Sequence, residues 1–148
     1  LKYGEVLTTE DLSGVLFLLP PGHTRLTDWE YITCGFLAAP IVVGFNRYGF
    51  VNNSEVFLAD QQEKLTQGRP HYYLWGIAVD PSRQRTGAGT ALLNSLFDQA
   101  DREGMPVYLE THQLANVAYY EQRGFRVVHT GEMPGDHLPF WCMLREAR

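Results

Sequence analysis

The sequence predicts a mixed α/β domain, and three observations carry that expectation. An apolar strand pattern from His71 to Val79 breaks at Asp80-Pro81, and a short polar stretch containing Gly87 and Gly89 leads into a segment with helical periodicity. A further strand pattern, Val107 to Thr111, follows, so strand, loop, helix and strand form a βαβ unit. Two strand-like runs near the start, Glu5 to Thr9 and Val15 to Leu19, supply antiparallel pairing instead of another crossover. With 148 residues and 45% hydrophobic side chains, residues 1–148 have the size and apolar content of one domain with its own core.

Taken in order, Glu10-Asp11-Leu12-Ser13-Gly14 separates the first two strands and reads as a hairpin connection with Gly14 in the turn region, and Pro20-Pro21-Gly22 ends the second strand. From Asp28 to Ala39 the segment DWEYITCGFLAA has helical spacing, with Trp29, Ile32, Phe36 and Ala39 on one stripe and Pro40 as its stop. A second helix is expected from Ser54 to Leu65, where Val56, Phe57, Leu58 and Leu65 make a weaker stripe. The continuous apolarity of His71 to Val79 predicts burial on both faces. Leu92, Leu93, Leu96, Phe97 and Ala100 then recur with the helical period, and Gly104 stands where a helix C-terminus closes. After the strand at Val107 to Thr111, a short helix is expected from Asn116 to Arg123, ending at Gly124, and Phe125 to Thr130 and Phe140 to Leu144 read as the last strands.

Composition narrows the function classes. A net charge of −5 with no run of Lys or Arg argues against nucleic acid, whose non-specific binding depends on clustered cations. The longest near-apolar run, Phe36 to Phe45, is interrupted by Pro40 and is half the roughly 20 residues a membrane-spanning helix needs, so no membrane partner is expected. Cys34 and Cys142 show neither metal-ligand spacing nor a disulfide pattern; they read as buried fillers of a cytoplasmic protein in a reducing compartment, with no metal site. The chain opens at Leu1 without an initiator Met and runs straight into a strand pattern, so natural N-terminal residues are expected to be missing.

The polar stretch Gln84-Arg85-Thr86-Gly87-Ala88-Gly89, continuing to Thr90, lies between a strand and the first turn of a helix. Backbone N–H groups there have no intrahelical partner, and with the positive end of the helix dipole they suit a phosphate or diphosphate. Glycine lets an anion approach the backbone and permits left-handed dihedrals. The same pair of glycines also suits an ordinary turn. No G-x-G-x-x-G pattern and no terminal Lys-Ser/Thr is present, which disfavours dinucleotide and ATP readings.

The segment IAVDPSRQRTGAGTALL resembles the acetyl-CoA-binding motif of the GNAT superfamily of N-acetyltransferases, V-x-P-x-x-[QR]-x-x-G-x-[GA], with Val79, Pro81, Gln84, Gly87 and Gly89 in register. YLETHQLANVAYYEQRGF resembles that family's second signature, Asn, then Tyr four residues later, then Gly-Phe. Leu109-Glu110-Thr111, Asn116, Tyr120-Glu121, Gly124-Phe125 and Trp141-Cys142-Met143 are similar to the subgroup that includes puromycin N-acetyltransferase. The likeness covers the cofactor half, about Tyr73 to Arg145. Two departures stand out: family members commonly carry Gly where Arg85 stands and a basic residue where Thr86 stands. The family's first strand and first helix, which would precede the hairpin, are absent from the sequence.

The resemblance implies a GNAT-like sheet, mixed and mostly antiparallel, flanked by helices. It implies acetyl transfer from acetyl-CoA, as co-substrate, to a primary amine of a small molecule or peptide through a direct tetrahedral intermediate. A homodimer is compatible with it. Cofactor contacts would fall on Ile77, Ala78, Val79, Gln84, Arg85, Thr86, Gly87, Ala88, Gly89, Thr90, Asn116 and Tyr120, with the main-chain N–H groups of Ile77 to Val79 facing the oxyanion. Gly76 permits a bulge there and equally suits tight packing. Asn116 and Tyr120 are four apart and share one helix face; Tyr120 reads as general acid to the departing sulfur or as a core aromatic, and Asn116 as an N-cap, a pantetheine contact or both. Glu110, on the opposite strand parity from Val107 and Leu109, is the first candidate for general base, and His112, which shares that parity, is the second; either also suits an ordinary polar position. Trp29, Glu30, Tyr31 and Phe36 would line an acidic, aromatic acceptor side or serve as a core stripe. A non-catalytic acyl-CoA-binding module is the alternative reading of the same loop.

Overall fold

The computed structural model describes residues 4–25, 41–42 and 44–148. The expected helix at Asp28 to Ala39, with Trp29, Glu30, Tyr31, Cys34 and Phe36, lies outside the described residues. Six strands form one sheet: β1 (Glu5–Thr8), β2 (Gly14–Leu19), β3 (Tyr72–Val79), β4 (Val107–Thr111), β5 (Arg126–Glu132) and β6 (Pro139–Arg145), in spatial order β1-β2-β3-β4-β6-β5. Helix α1 (Phe45–Thr66) precedes β3, α2 (Ala88–Glu103) links β3 to β4, and α3 (Leu114–Glu121) follows β4. β3 and β4 are parallel and the other neighbouring pairs antiparallel, so the mixed, mostly antiparallel sheet flanked by helices is the architecture the sequence predicts.

Alternation along β4 sorts the two faces of the sheet. Val107 and Leu109 join Leu16, Leu18, Tyr72 and Leu74 beneath the α2 stripe of Leu92, Leu93, Leu96, Phe97 and Ala100, all buried. Tyr108 points the other way and joins Phe140, Cys142 and Leu144, with Phe57, Leu58 and Leu65 of α1 packed against them. Burying each such leucine or phenylalanine contributes about 1.5–3 kcal/mol, which makes the α2 stripe the main anchor of the βαβ unit. Gly104 ends α2 at φ 66°, and the N–H groups of Gly104 and Met105 close the last turn on the Asp101 and Ala100 carbonyls.

Four local expectations change. Gly14 is the first residue of β2, opposite Val79, and the hairpin's positive φ falls on Leu12 at 55°. Asp11 Oδ1 accepts from the Ser13 N–H at 3.1 Å and the Ser13 hydroxyl at 2.6 Å, an Asx-type bend that holds the turn without glycine. Helix α1 begins at Phe45 rather than Ser54, because Gly49, Asn52 and Asn53 are weak helix formers whose penalty, about 1 kcal/mol for the glycine, is outweighed within a 22-residue helix. β3 is buried at Tyr72 and Leu74 but leaves Trp75 52% exposed, so continuous apolarity does not mean burial on both faces there. Helix α3 starts at Leu114, not Asn116.

Candidate active site

Two irregularities open the sheet beside β3. Phe17 pairs with Gly76 and Leu18 with Leu74, which leaves Trp75 as the extra residue of a β-bulge whose ring turns outward, edge-on to Phe17 at 6.3 Å. A Cβ on Gly76 would meet Phe17 Cδ2 at 3.8 Å, an ordinary contact, so crowding does not demand glycine there. On its other edge β3 pairs with β4 only through Tyr72 with Val107 and Tyr73 with Tyr108. Beyond Tyr73 the strands part, and the main-chain groups of Leu74 to Val79 that face β4 have no ladder partner.

The loop after β3 turns sharply into α2. Asp80 Oδ1 accepts from the N–H and hydroxyl of Ser82, starting a single 3₁₀ turn over Pro81–Arg83. Arg85 then adopts φ 64° and Gly87 φ 96°. Arg85 therefore holds a left-handed geometry that favours glycine, at a cost of roughly 1–2 kcal/mol. Gly87 is the N-cap of α2 and makes no side-chain cap bond, so the opening N–H groups of Ala88, Gly89 and Thr90 are not taken up by a capping side chain. The two glycines do different work. A Cβ on Gly87 would stand in open space, so that position is needed for its dihedral, whereas a Cβ on Gly89 would lie 3.2 Å from the Tyr119 hydroxyl and 3.5 Å from Val79 Cγ2. Thr86 donates its hydroxyl to the Arg83 carbonyl at 2.6 Å, and Gln84 Nε2 reaches the Val79 carbonyl at 3.4 Å, so both brace the loop.

Asn116 is not an N-cap: Gln113 holds that place, which moves Asn116 inside the first turn of α3. Its Nδ2 donates to Thr111 Oγ1 at 3.1 Å, tying the helix to the end of β4. Tyr120, one turn later, is 8% exposed, with Tyr119 at 5.4 Å and Phe125 at 5.5 Å between ring centroids. Burial pushes its phenol up to about 12, with Tyr119 adding to the shift and the Arg123 guanidinium opposing it. Ile77 packs against the same apolar cluster as Tyr120, so these two side chains share one face of the sheet.

Glu110 stands on the other face, opposite Cys142 in the β4–β6 ladder. Its Oε1 and the Tyr108 hydroxyl are buried without a hydrogen-bond partner. Burial pushes the carboxyl up to about 7, the Tyr73 hydroxyl pulls it part of the way back, and the Glu55 charge on α1 adds to the rise. The same burial lifts the Cys142 thiol to about 11 and the Tyr73 and Tyr108 phenols well above their usual range. His112 turns Nδ1 to the Pro139 carbonyl at 3.1 Å. Glu110 and Tyr120 thus flank the sheet from opposite sides instead of sharing a pocket wall.

The sequence profile of the Acetyltransferase (GNAT) family matches residues 16–125. The chain belongs to that family. It is 28% identical over 149 residues to an uncharacterised N-acetyltransferase of Schizosaccharomyces pombe, covering 97% of this chain and 60% of that protein. Over 55 residues it is 44% identical to the ribosomal protein bS18-alanine N-acetyltransferase of Escherichia coli K12, covering 35% of this chain and 37% of that enzyme. In fold it matches a structure described as histone acetyltransferase HPA2 and related acetyltransferase from Corynebacterium glutamicum, with a TM-score of 0.59 at 18% identity over 99% of this chain and 66% of that one. Nourseothricin acetyltransferase matches with a TM-score of 0.54 at 14% identity over 97% and 64% of the two chains. The chain thus spans about 60% of the length of its fission-yeast relative.

Within this GNAT frame, four side chains of the site went unread in the sequence. Tyr73 and Tyr108 face Glu110, and Tyr119 and Arg123 close over the start of α2. A signal existed for three of them: Tyr108 is two residues before Glu110 on one strand, and Tyr119 and Arg123 are four apart on one helix. Tyr73 needed the β3–β4 register. Among the described residues no group of His, Cys, Asp or Glu is placed to hold a metal, and no helix is long and apolar enough to cross a membrane.

Proposed function

We propose that this GNAT-family chain transfers an acetyl group from acetyl-CoA to a primary amine of a small molecule or peptide by direct attack. The observation that carries the reading is the parting of β3 and β4 beside the uncapped start of α2, which sets free main-chain donors next to a ready anion site. The amides of Ala88, Gly89 and Thr90 would hold the diphosphate, and Asn116 the pantetheine arm. Main-chain N–H groups between Ile77 and Val79 would stabilise the oxyanion. Glu110, with its carboxyl near 7, takes a proton from the attacking amine at neutral pH. As the new N–C bond forms and the C–S bond breaks, Tyr120 gives its proton to the departing sulfur. A phenol at about 12 is a weak acid in water, but the same desolvation raises the basicity of the thiolate, so donor and acceptor shift together.

The acceptor would approach from the α1 face, where Glu110 and Glu55 with Tyr73 suit a cationic amine. The likeness of Leu109-Glu110-Thr111, Asn116, Tyr120 and Trp141-Cys142-Met143 to puromycin N-acetyltransferase supports a small molecule; the E. coli relative, named for the alanine of ribosomal protein bS18, supports a peptide. A thiol-release assay with acetyl-CoA over aminonucleosides, polyamines and peptides with a free N-terminal alanine tests the reading. Release that depends on one of these acceptors is the expected outcome. Tight CoA binding without release across the panel would replace it with a non-catalytic acyl-CoA-binding module.

A further inference from the structure

Arg123 follows α3 and, among the described residues, is a cation without a carboxylate partner. Its Nη1 donates to the Tyr119 carbonyl at 2.7 Å, its Nη2 donates to Thr90 Oγ1 at 2.9 Å, and its guanidinium lies 3.5 Å from the Tyr119 ring centroid. Nε is buried with no partner. Among the described residues Arg123 joins no ion pair, although the other half-buried or buried arginine of this core, Arg145, is matched to Asp101 at 2.7 Å. Thr90 is the third residue of α2, so the guanidinium is fastened beside the positive end of the helix dipole. A fixed cation at that end is unfavourable unless an anion completes it. Tyr119 adds a second constraint, because its hydroxyl lies against Gly89, where any side chain would displace it.

We infer that Arg123 is a ligand-binding residue which, clamped by Tyr119 and Thr90, shares the diphosphate of acetyl-CoA with the opening amides of α2. The inference rests on the acetyl-CoA reading above and adds to it the missing charge. Thr86, within the loop itself, is neutral and has its hydroxyl committed to the Arg83 carbonyl. The cation is instead delivered from the turn that follows α3, through the bond to Thr90. Tyr119 is a positioning residue: its ring supports the guanidinium face and its carbonyl orients one edge.

The test uses the full chain carrying Arg123→Gln or Arg123→Lys, with acetyl-CoA, 3′-dephospho-acetyl-CoA and S-acetylpantetheine as donors. Arg123→Gln is expected to raise the Kd for CoA and the KM for acetyl-CoA about tenfold, the scale of a lost charge-assisted bond, while kcat changes less than twofold. The same penalty persists with 3′-dephospho-acetyl-CoA, which keeps the diphosphate, and disappears with S-acetylpantetheine, which has none. Arg123→Lys, retaining a point charge, stays within about threefold of the wild type and covers the case in which the Gln variant does not fold. Unchanged CoA affinity in a folded Arg123→Gln, or an equal penalty on S-acetylpantetheine, overturns the assignment and makes the contact structural. A penalty confined to donors bearing the 3′-phosphate also overturns it. Failure of the wild-type chain to bind CoA at all removes the acetyl-CoA reading, and this inference falls with it.

Discussion

Val107 and Leu109 of β4 point into a close-packed apolar layer under α2, whereas Tyr108 and Glu110, one residue out of phase on the same strand, point toward α1 into a layer of phenols, a thiol and carboxylates. The charges at the edge of the first layer are matched, Arg145 to Asp101 at 2.7 Å, and its energetics are mainly those of area removed from water. The second buries groups that prefer water and leaves Glu110 Oε1 and the Tyr108 hydroxyl without partners. A short strand of five residues can therefore hold the fold on one face and raise the pKa of a buried carboxyl on the other, because side-chain direction alternates along it.

The strongest way to break this contrast is to neutralise its polar side. Glu110→Gln is expected to lower kcat/KM about 10²–10⁴-fold, the usual worth of positioned proton transfer. In the proposed reaction the carboxylate is the working form, so wild-type activity is expected to rise with pH through about 7 and the variant to lose that limb. Stability runs the other way. A carboxyl raised in the folded state from 4.5 to about 7 holds its proton more tightly there than in the unfolded chain, so its contribution is intact below 4.5 and is lost as pH climbs toward 7. Melting curves of wild type and Glu110→Gln should converge at pH 4 and favour the variant at pH 8; a constant gap would mean that Glu110 is solvated. On the opposite face, Tyr120→Phe is expected to lower kcat within the same range while CoA affinity changes less than twofold, and equal loss of both would make the ring purely a packing element.

A smaller effect sharpens the apolar side of the comparison. Leu96→Ala, in a side chain with 0% exposure, should destabilise the domain by about 2–5 kcal/mol in urea titrations, and Leu58→Ala, half-buried against the α1 face, by less. Equal losses would show that the two layers are packed alike. The smallest effect is expected in the loop: Arg85→Gly relieves a left-handed side chain and should stabilise the domain by about 1 kcal/mol at most, since the added glycine freedom in the unfolded chain offsets part of the gain. Lower melting temperature in that variant would locate a contact of the Arg85 side chain.

What the sequence alone determined is what depends on neighbours along the chain. The α2 stripe, its closure at Gly104, the extent of β4 and the polar turn with Gly87 at its bend all follow from period and dihedral demand, and so were readable from a few residues each. Which face Glu110 takes was readable too, from its parity with Leu109. Only the tertiary structure decided the rest. The bulge that isolates Trp75 and the parting of β3 from β4 are properties of register between strands, and no single strand carries them. The rise of Glu110 to about 7 comes from burial among elements distant in the chain, with the Glu55 charge on α1 adding to it and the Tyr73 hydroxyl on β3 opposing it, and the delivery of Arg123 to Thr90 needs two helices to meet. Burial and charge pairing are sums over space, and a chain written in one dimension fixes them only once it has folded.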